Sequence, residues 1–199
     1  MKYIETYITK KFDICNINFH MHKFYKSIKD ETKMSYLLLN YMYYKKYNKF
    51  INMDNINKDK MGKPIFLNNN LYFNISHSNN YISCCLATVN VGIDIEEDRI
   101  IKETTLKKIL NENDKDIEYI KIWNIKEAYS KYLGIGLKLN FSKISINEIK
   151  QNVNLINNIY SINNKNLYFS LCYNTKEENI YNNINFIDSN KLIKFYSLT

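Results

Sequence analysis

Val91-Gly92-Ile93-Asp94-Ile95-Glu96 alternates apolar and polar side chains with a period of two residues. Successive side chains leave opposite faces of an extended chain, so this is a strand with one apolar face and one face carrying carboxylates. Asp94 and Glu96 point the same way. Further along, Trp123-Asn124-Ile125-Lys126-Glu127-Ala128-Tyr129-Ser130-Lys131 spaces Trp123, Glu127 and Lys131 four residues apart, and Gly134-Ile135-Gly136-Leu137 follows. On a helix that spacing lines the three along one stripe and sets an ammonium one turn beyond a carboxylate. A strand and a helix then offer three carboxylates and one cation to a common centre.

Ligands made only of Asp and Glu oxygens select a hard cation. Mg²⁺ usually accepts a few carboxylates, keeps waters and takes its remaining ligands from substrate phosphates. Asp94, Glu96 and Glu127 are therefore the candidate metal ligands, and Lys131 can balance phosphate charge that the metal leaves uncovered. Singly, each piece has an ordinary reading: a solvated strand face, or a surface Glu–Lys pair worth about 0.2–0.5 kcal/mol. Their combination with a third motif carries the chemistry. Gly62-Lys63-Pro64 places Lys63 in a turn or at the start of an extended segment. Leu71-Tyr72-Phe73-Asn74-Ile75 then reads as a strand ending in the polar tip Ser76-His77-Ser78, whose hydroxyls, imidazole and N–H groups can donate to phosphate oxygens.

The order GKP, FNISHS, VGIDIE, WxxKEAxxKxxGxGL, from Gly62 to Leu137, resembles the 4'-phosphopantetheinyl transferases of the surfactin-synthetase-activating (Sfp) type. The resemblance implies Mg²⁺-dependent transfer of the phosphopantetheine arm of coenzyme A to a serine of an apo acyl or peptidyl carrier protein, with release of adenosine 3',5'-bisphosphate. It implies metal binding by Asp94, Glu96 and Glu127, catalytic roles for Glu127 and Lys131, and coenzyme A contacts from Lys63, Ser76 and His77. It also implies an α+β fold of two similar halves packed with pseudo-two-fold symmetry, the cofactor lying in the cleft between them. Lys23, Lys26, Lys29 and Lys33 fall where the family places basic residues for the 3'-phosphate of coenzyme A. The residues alone leave two other readings open: a different Mg²⁺-dependent phosphoryl-transfer enzyme or pyrophosphate-ester hydrolase, and a non-catalytic basic binding module.

A chain of 199 residues suffices for one sizeable domain or two small ones packed together. No apolar run is long enough to span a membrane. The start, Met1-Lys2-Tyr3-Ile4-Glu5-Thr6, lacks a signal-peptide hydrophobic region, so a cytoplasmic location is expected. Cys84 and Cys85 lie in an apolar strand-like run, and no zinc spacing is present, so they read as reduced core thiols. The net charge of +8 comes from lysines scattered among Asn, Ile and Tyr, and Arg99 is the only arginine. That argues against a base-reading nucleic-acid surface and suits an acidic protein partner and an anionic cofactor.

Along the chain a strand is expected near 3–9 and a helix over 32–47, with Asp30 and Glu31 ahead of it and Lys45 and Lys46 closing it. Strands at 71–76 and 81–89 should form a hairpin through Ser78-Asn79-Asn80, followed at once by the VGIDIE strand. The span 100–128 reads as helical, with Glu112 and Asp114 as solvated charges, and 141–147, 155–161 and 166–173 read as strands. The pattern thus recurs about a break near Asn90. The expected division is an N-terminal half, 1–90, and a C-terminal half, 91–199, carrying the metal-site acids. A cleft supplied within one chain predicts a monomer.

Overall fold

The structure, a computed structural model, describes residues 2–15, 17, 29–67, 70–174 and 180–198. Its architecture is α+β, built on two antiparallel hairpins that each face a helix. In the first part, β1 (Tyr3–Lys10), α1 (Asp30–Tyr47), a short ribbon of β2 (Ile56–Lys58) and β3 (Pro64–Phe66), β4 (Tyr72–His77) and β5 (Tyr81–Ala87) follow one another. β6 (Val91–Glu97), α2 (Glu103–Ile109), α3 (Tyr119–Leu133), α4 (Ile146–Asn152), β7 (Val153–Ile162) and β8 (Lys165–Asn174) come next. The described chain closes with β9 (Tyr181–Phe186) and α5 (Ser189–Ser197).

The first sheet has the order β4-β5-β1-β9 and the second β6-β8-β7. Within each, a strand, a helix and an antiparallel hairpin occur in the same chain order. Alternation decides which layer each residue joins. Cys84 faces α1, where Leu37, Leu38 and Met42 pack with Phe73, Ile82 and Leu86. Its neighbour Cys85 faces the other way and joins Ile4, Ile8 and Ala87 against Val91, Ile93, Ile95, Phe169 and Leu171 of the second sheet. The opposite face of that second sheet contributes Tyr168 and Cys172 to a core with Ile125, Ala128 and Tyr129 of α3. The layers therefore run helix, sheet, sheet, helix. Gly92 lets α3 lie directly on β6: a Cβ there would stand 2.1 Å from Tyr132 N and 2.2 Å from Ala128 O.

The two sheets meet along β4 and β6 through side chains in place of a main-chain ladder. Asn74 Oδ1 accepts from Ile93 N (2.8 Å), Ser76 Oγ from Ile95 N (3.3 Å) and Ser78 Oγ from Glu97 N (2.9 Å). Three polar residues at i, i+2 and i+4 thus satisfy the edge of a neighbouring strand, whose buried N–H groups would otherwise be costly.

Three expectations change. Residues 141–147 are not a strand: a 3₁₀ turn, Phe141–Lys143, leads into α4, whose start is fixed by a reciprocal capping box between Ser145 and Glu148. The helical span 100–128 is broken by a second 3₁₀ turn, Glu112–Asp114. Within it Asp114 is not solvated; it is 1% exposed and pairs with the equally buried Lys126 at 2.7 Å. The chain from 180 onward also leaves the second sheet: β9 runs parallel to β1, and Leu192 and Tyr196 of α5 enter the core beneath α1. Among the described residues no helix is long and apolar enough to cross a membrane.

Candidate active site

The polar face of β6 and the stripe of α3 do meet. Asp94, only 4% exposed, accepts at Oδ1 from Lys131 Nζ (2.7 Å) and Ser76 Oγ (2.8 Å), and at Oδ2 from Asn124 Nδ2 (2.9 Å). Lys131 Nζ also donates to Ser76 Oγ at 2.8 Å. Glu96 accepts from Trp123 Nε1 (2.8 Å) and takes a two-pronged contact from Arg99, with Nε at 3.1 Å and the terminal nitrogen at 3.2 Å. The guanidinium also lies 5.6 Å from the Trp123 ring, within cation–π reach.

Glu127 is the unsatisfied member. Its Oε1 is buried and has no hydrogen-bond donor among the described residues. Burial foremost, then the negative charge of Asp94, pushes its carboxyl up to about 7, with Lys131 pulling the other way and Glu96 adding to the rise. A buried carboxylate oxygen without a donor is expensive unless a cation meets it. Among the described residues no three acidic, His or Cys side chains stand in ligating geometry as they lie. The donor set nevertheless fits a hard cation: three carboxylates from two elements influence one another, and one has an oxygen awaiting positive charge.

Of the other sequence candidates, Ser76 reaches this centre, whereas Lys63 and His77 make their contacts elsewhere. Ser76 is inside it, bridging Asp94, Lys131 and the backbone of Ile95. Lys63 lies at the entry to β6, donating to Asn90 Oδ1 (3.1 Å) and Val91 O (3.0 Å), and burial pulls its ammonium down to about 8. Asn90 in turn donates to Tyr132 O at the end of α3 (2.9 Å). A cavity of about 330 Å³ opens beside Lys63, lined among others by Pro64, Phe73, Tyr132 and Gly134. His77 leaves β4 on the side opposite Ser76, toward the start of α1. It is 45% exposed, with Nδ1 3.7 Å from Glu31 Oε2, and Lys11 pairs with the same carboxylate. Lys33 bonds Asp30 (2.7 Å) and Lys29 precedes α1, whereas Lys23 and Lys26 lie outside the described residues.

Asn124, Ser170 and Arg99 belong to the site without having stood out as site residues. Asn124 had a signal in the sequence: an amide in the middle of an apolar helix, where a polar side chain needs a buried partner. Arg99 is visible only as a solitary guanidinium three residues after Glu96, and Ser170 only once strand pairing is known.

Residues 90–181 match the sequence model of the 4'-phosphopantetheinyl transferase superfamily. The chain is 29% identical over 102 residues to the 4'-phosphopantetheinyl transferase gsp of Aneurinibacillus migulanus, covering 46% of this chain and 43% of that protein. It is 30% identical over 86 residues to the 4'-phosphopantetheinyl transferase Sfp of Bacillus subtilis, covering 38% of each. The match thus spans less than half the length of either relative. It is a resemblance to transferases of the Sfp type, and the family segment contains Asp94, Glu96, Trp123, Glu127 and Lys131.

Proposed function

We propose that this chain is a Mg²⁺-dependent 4'-phosphopantetheinyl transferase that moves the phosphopantetheine arm of coenzyme A to a serine of an apo acyl or peptidyl carrier protein. The observation that carries the reading is the meeting of Asp94, Glu96, Glu127 and Lys131, two elements apart in sequence, inside the segment that matches the superfamily.

The serine Oγ attacks the phosphorus that bears the pantetheine arm; the bond to the second phosphate breaks, and adenosine 3',5'-bisphosphate leaves with that oxygen. Such a transition state spreads negative charge over phosphoryl oxygens and calls for electrostatic stabilisation more than covalent chemistry. Mg²⁺, when held by Asp94, Glu96 and Glu127, supplies part of that positive charge. Lys131, braced by Asp94 and Ser76, supplies a fixed ammonium on the same side. Glu127, or a water held by it, is the candidate acceptor for the serine proton.

Lys63, Ser76 and His77 are assigned to coenzyme A. The cavity beside Lys63 and the exposure of His77 at the start of α1, where the helix dipole favours anions, support this. We read the two sheet-and-helix units as pseudo-two-fold halves with the cofactor cleft between them, the chain passing from the first to the second near residue 90 and returning to the first after 180; the strand order that the two sheets share supports this. The net charge of +8 suits an acidic carrier protein. A monomer acting in the cytoplasm, with no nucleic-acid or membrane partner, completes the reading.

Intact-mass spectrometry of apo acyl and apo peptidyl carrier proteins, incubated with the chain, coenzyme A and Mg²⁺, tests it. One added phosphopantetheine arm, absent with EDTA, is the expected result. Cleavage of coenzyme A without a modified carrier would instead point to a hydrolase. Carrier binding unaffected by Asp94→Ala or Glu127→Ala, without chemistry, would point to a binding module.

A further inference from the structure

We infer that Asn124 is a positioning residue that orients Asp94 for the divalent cation, acting through a row of ordered hydrogen bonds across the second sheet; this rests on the metal-site reading above.

The row is set by register. Asp94 of β6 stands opposite Ser170 of β8, and Ser170 stands opposite Asn157 of β7. All three turn to the α3 side of the sheet, where Asn124, 0% exposed, closes the row from the helix. Asn157 Nδ2 reaches Ser170 Oγ at 2.9 Å, Ser170 Oγ reaches Asn124 Oδ1 at 2.5 Å, and Asn124 Nδ2 reaches Asp94 Oδ2 at 2.9 Å.

The direction of every bond follows from the last. An ionised carboxylate can only accept, so Asn124 must turn its NH₂ to Asp94 and its carbonyl to Ser170. Ser170 must then donate its single proton to that carbonyl, and Asn157 must donate to Ser170. Each donor points toward Asp94. The amide cannot flip without setting oxygen against oxygen in a site closed to water, and both ends of Asn124 are satisfied only in this sense. Oδ2 is thereby committed to the protein interior, and Oδ1 is turned to the side of Lys131 and Ser76. Carboxylates that bind metals are oriented in this way by hydrogen bonds behind them, and loss of such a partner typically lowers metal affinity about 10–100-fold.

Mn²⁺ binding followed by electron paramagnetic resonance on the full chain, without substrate, tests the inference. Asn124→Ala should weaken Mn²⁺ at least about tenfold, with coenzyme A affinity in EDTA unchanged. Its transfer activity should be restored by excess Mg²⁺, which a general loss of structure would not allow. Ser170→Ala, which removes the donor fixing the amide but leaves Asn124 in place, should weaken Mn²⁺ in the same direction and serves if Asn124→Ala does not fold. Asp94→Ala is the reference. Loss of Mn²⁺ in Asp94→Ala with wild-type affinity in either of the other two variants would overturn the positioning role. Wild-type affinity in Asp94→Ala would overturn the metal-site reading beneath it.

Discussion

Glu127 carries the clearest consequence at the level of a single residue. Its carboxyl is raised to about 7, so between its ordinary acidic range and pH 7 the folded chain keeps a proton that the unfolded chain has released. Stability contributed by this group is present in acid and lost as pH rises through about 7. In EDTA, urea unfolding should therefore show the wild type losing stability relative to Glu127→Gln between pH 5 and pH 8; parallel profiles would mean that Glu127 ionises normally. Gly92 acts through absence. With backbone atoms of α3 at 2.1 and 2.2 Å from any added Cβ, Gly92→Ala must lift the helix from β6. A loss of at least about 2 kcal/mol is expected, together with faster amide hydrogen exchange along α3. Unchanged exchange would show that helix and strand can part without cost.

Among the elements, α3 is placed by a charge buried behind it. Lys126 donates to Ile109 O (2.8 Å) at the end of α2 and to Phe141 O (2.9 Å) in the turn before α4, and it pairs with Asp114. Asp114 Oδ1 in turn accepts from Ile146 N at the start of α4 (2.9 Å). Three segments are gathered onto the side of α3 next to Glu127. Burial lowers the Lys126 ammonium while Asp114 raises it, so the pair holds together only as a pair. Lys126→Met should cost about 3–5 kcal/mol, and Lys126→Met with Asp114→Leu markedly less. Equal losses in a denaturant-melt cycle would mean that the fixed carbonyls, not the carboxylate, hold the lysine. Ser145→Ala should remove about 1 kcal/mol by unmaking the capping box, measured the same way.

For the whole molecule, the return of the chain is decisive. β9 pairs along β1, and Tyr196 of α5 donates to Leu37 O of α1 (2.7 Å), so the first sheet and its helix are completed by residues after 180. Residues 2–90 expressed alone should remain unfolded, with β1 unpaired on one edge and the pocket for Leu192 open. A dispersed amide spectrum from that fragment would show that the first unit folds unaided. The same return joins the units covalently at both ends, which the side-chain seam of Asn74, Ser76 and Ser78 reinforces at the centre.

The strong periodicities were readable without coordinates. The strand at 91–97, the helix ending near Tyr47, the hairpin through Ser78-Asn79-Asn80 and the shared face of Asp94 and Glu96 are local consequences of side-chain alternation and turn chemistry. The span 141–147 misled because Phe141, Ile144 and Ile146 resemble a strand, although the Ser145–Glu148 spacing already carried the helix start. Tertiary structure alone decided the rest. Asn124 met Asp94, Lys126 met Asp114 and β9 met β1 through contacts between residues 12 to 178 positions apart. Such contacts depend on strand register and helix placement, which packing of the whole chain fixes and no short window of sequence contains.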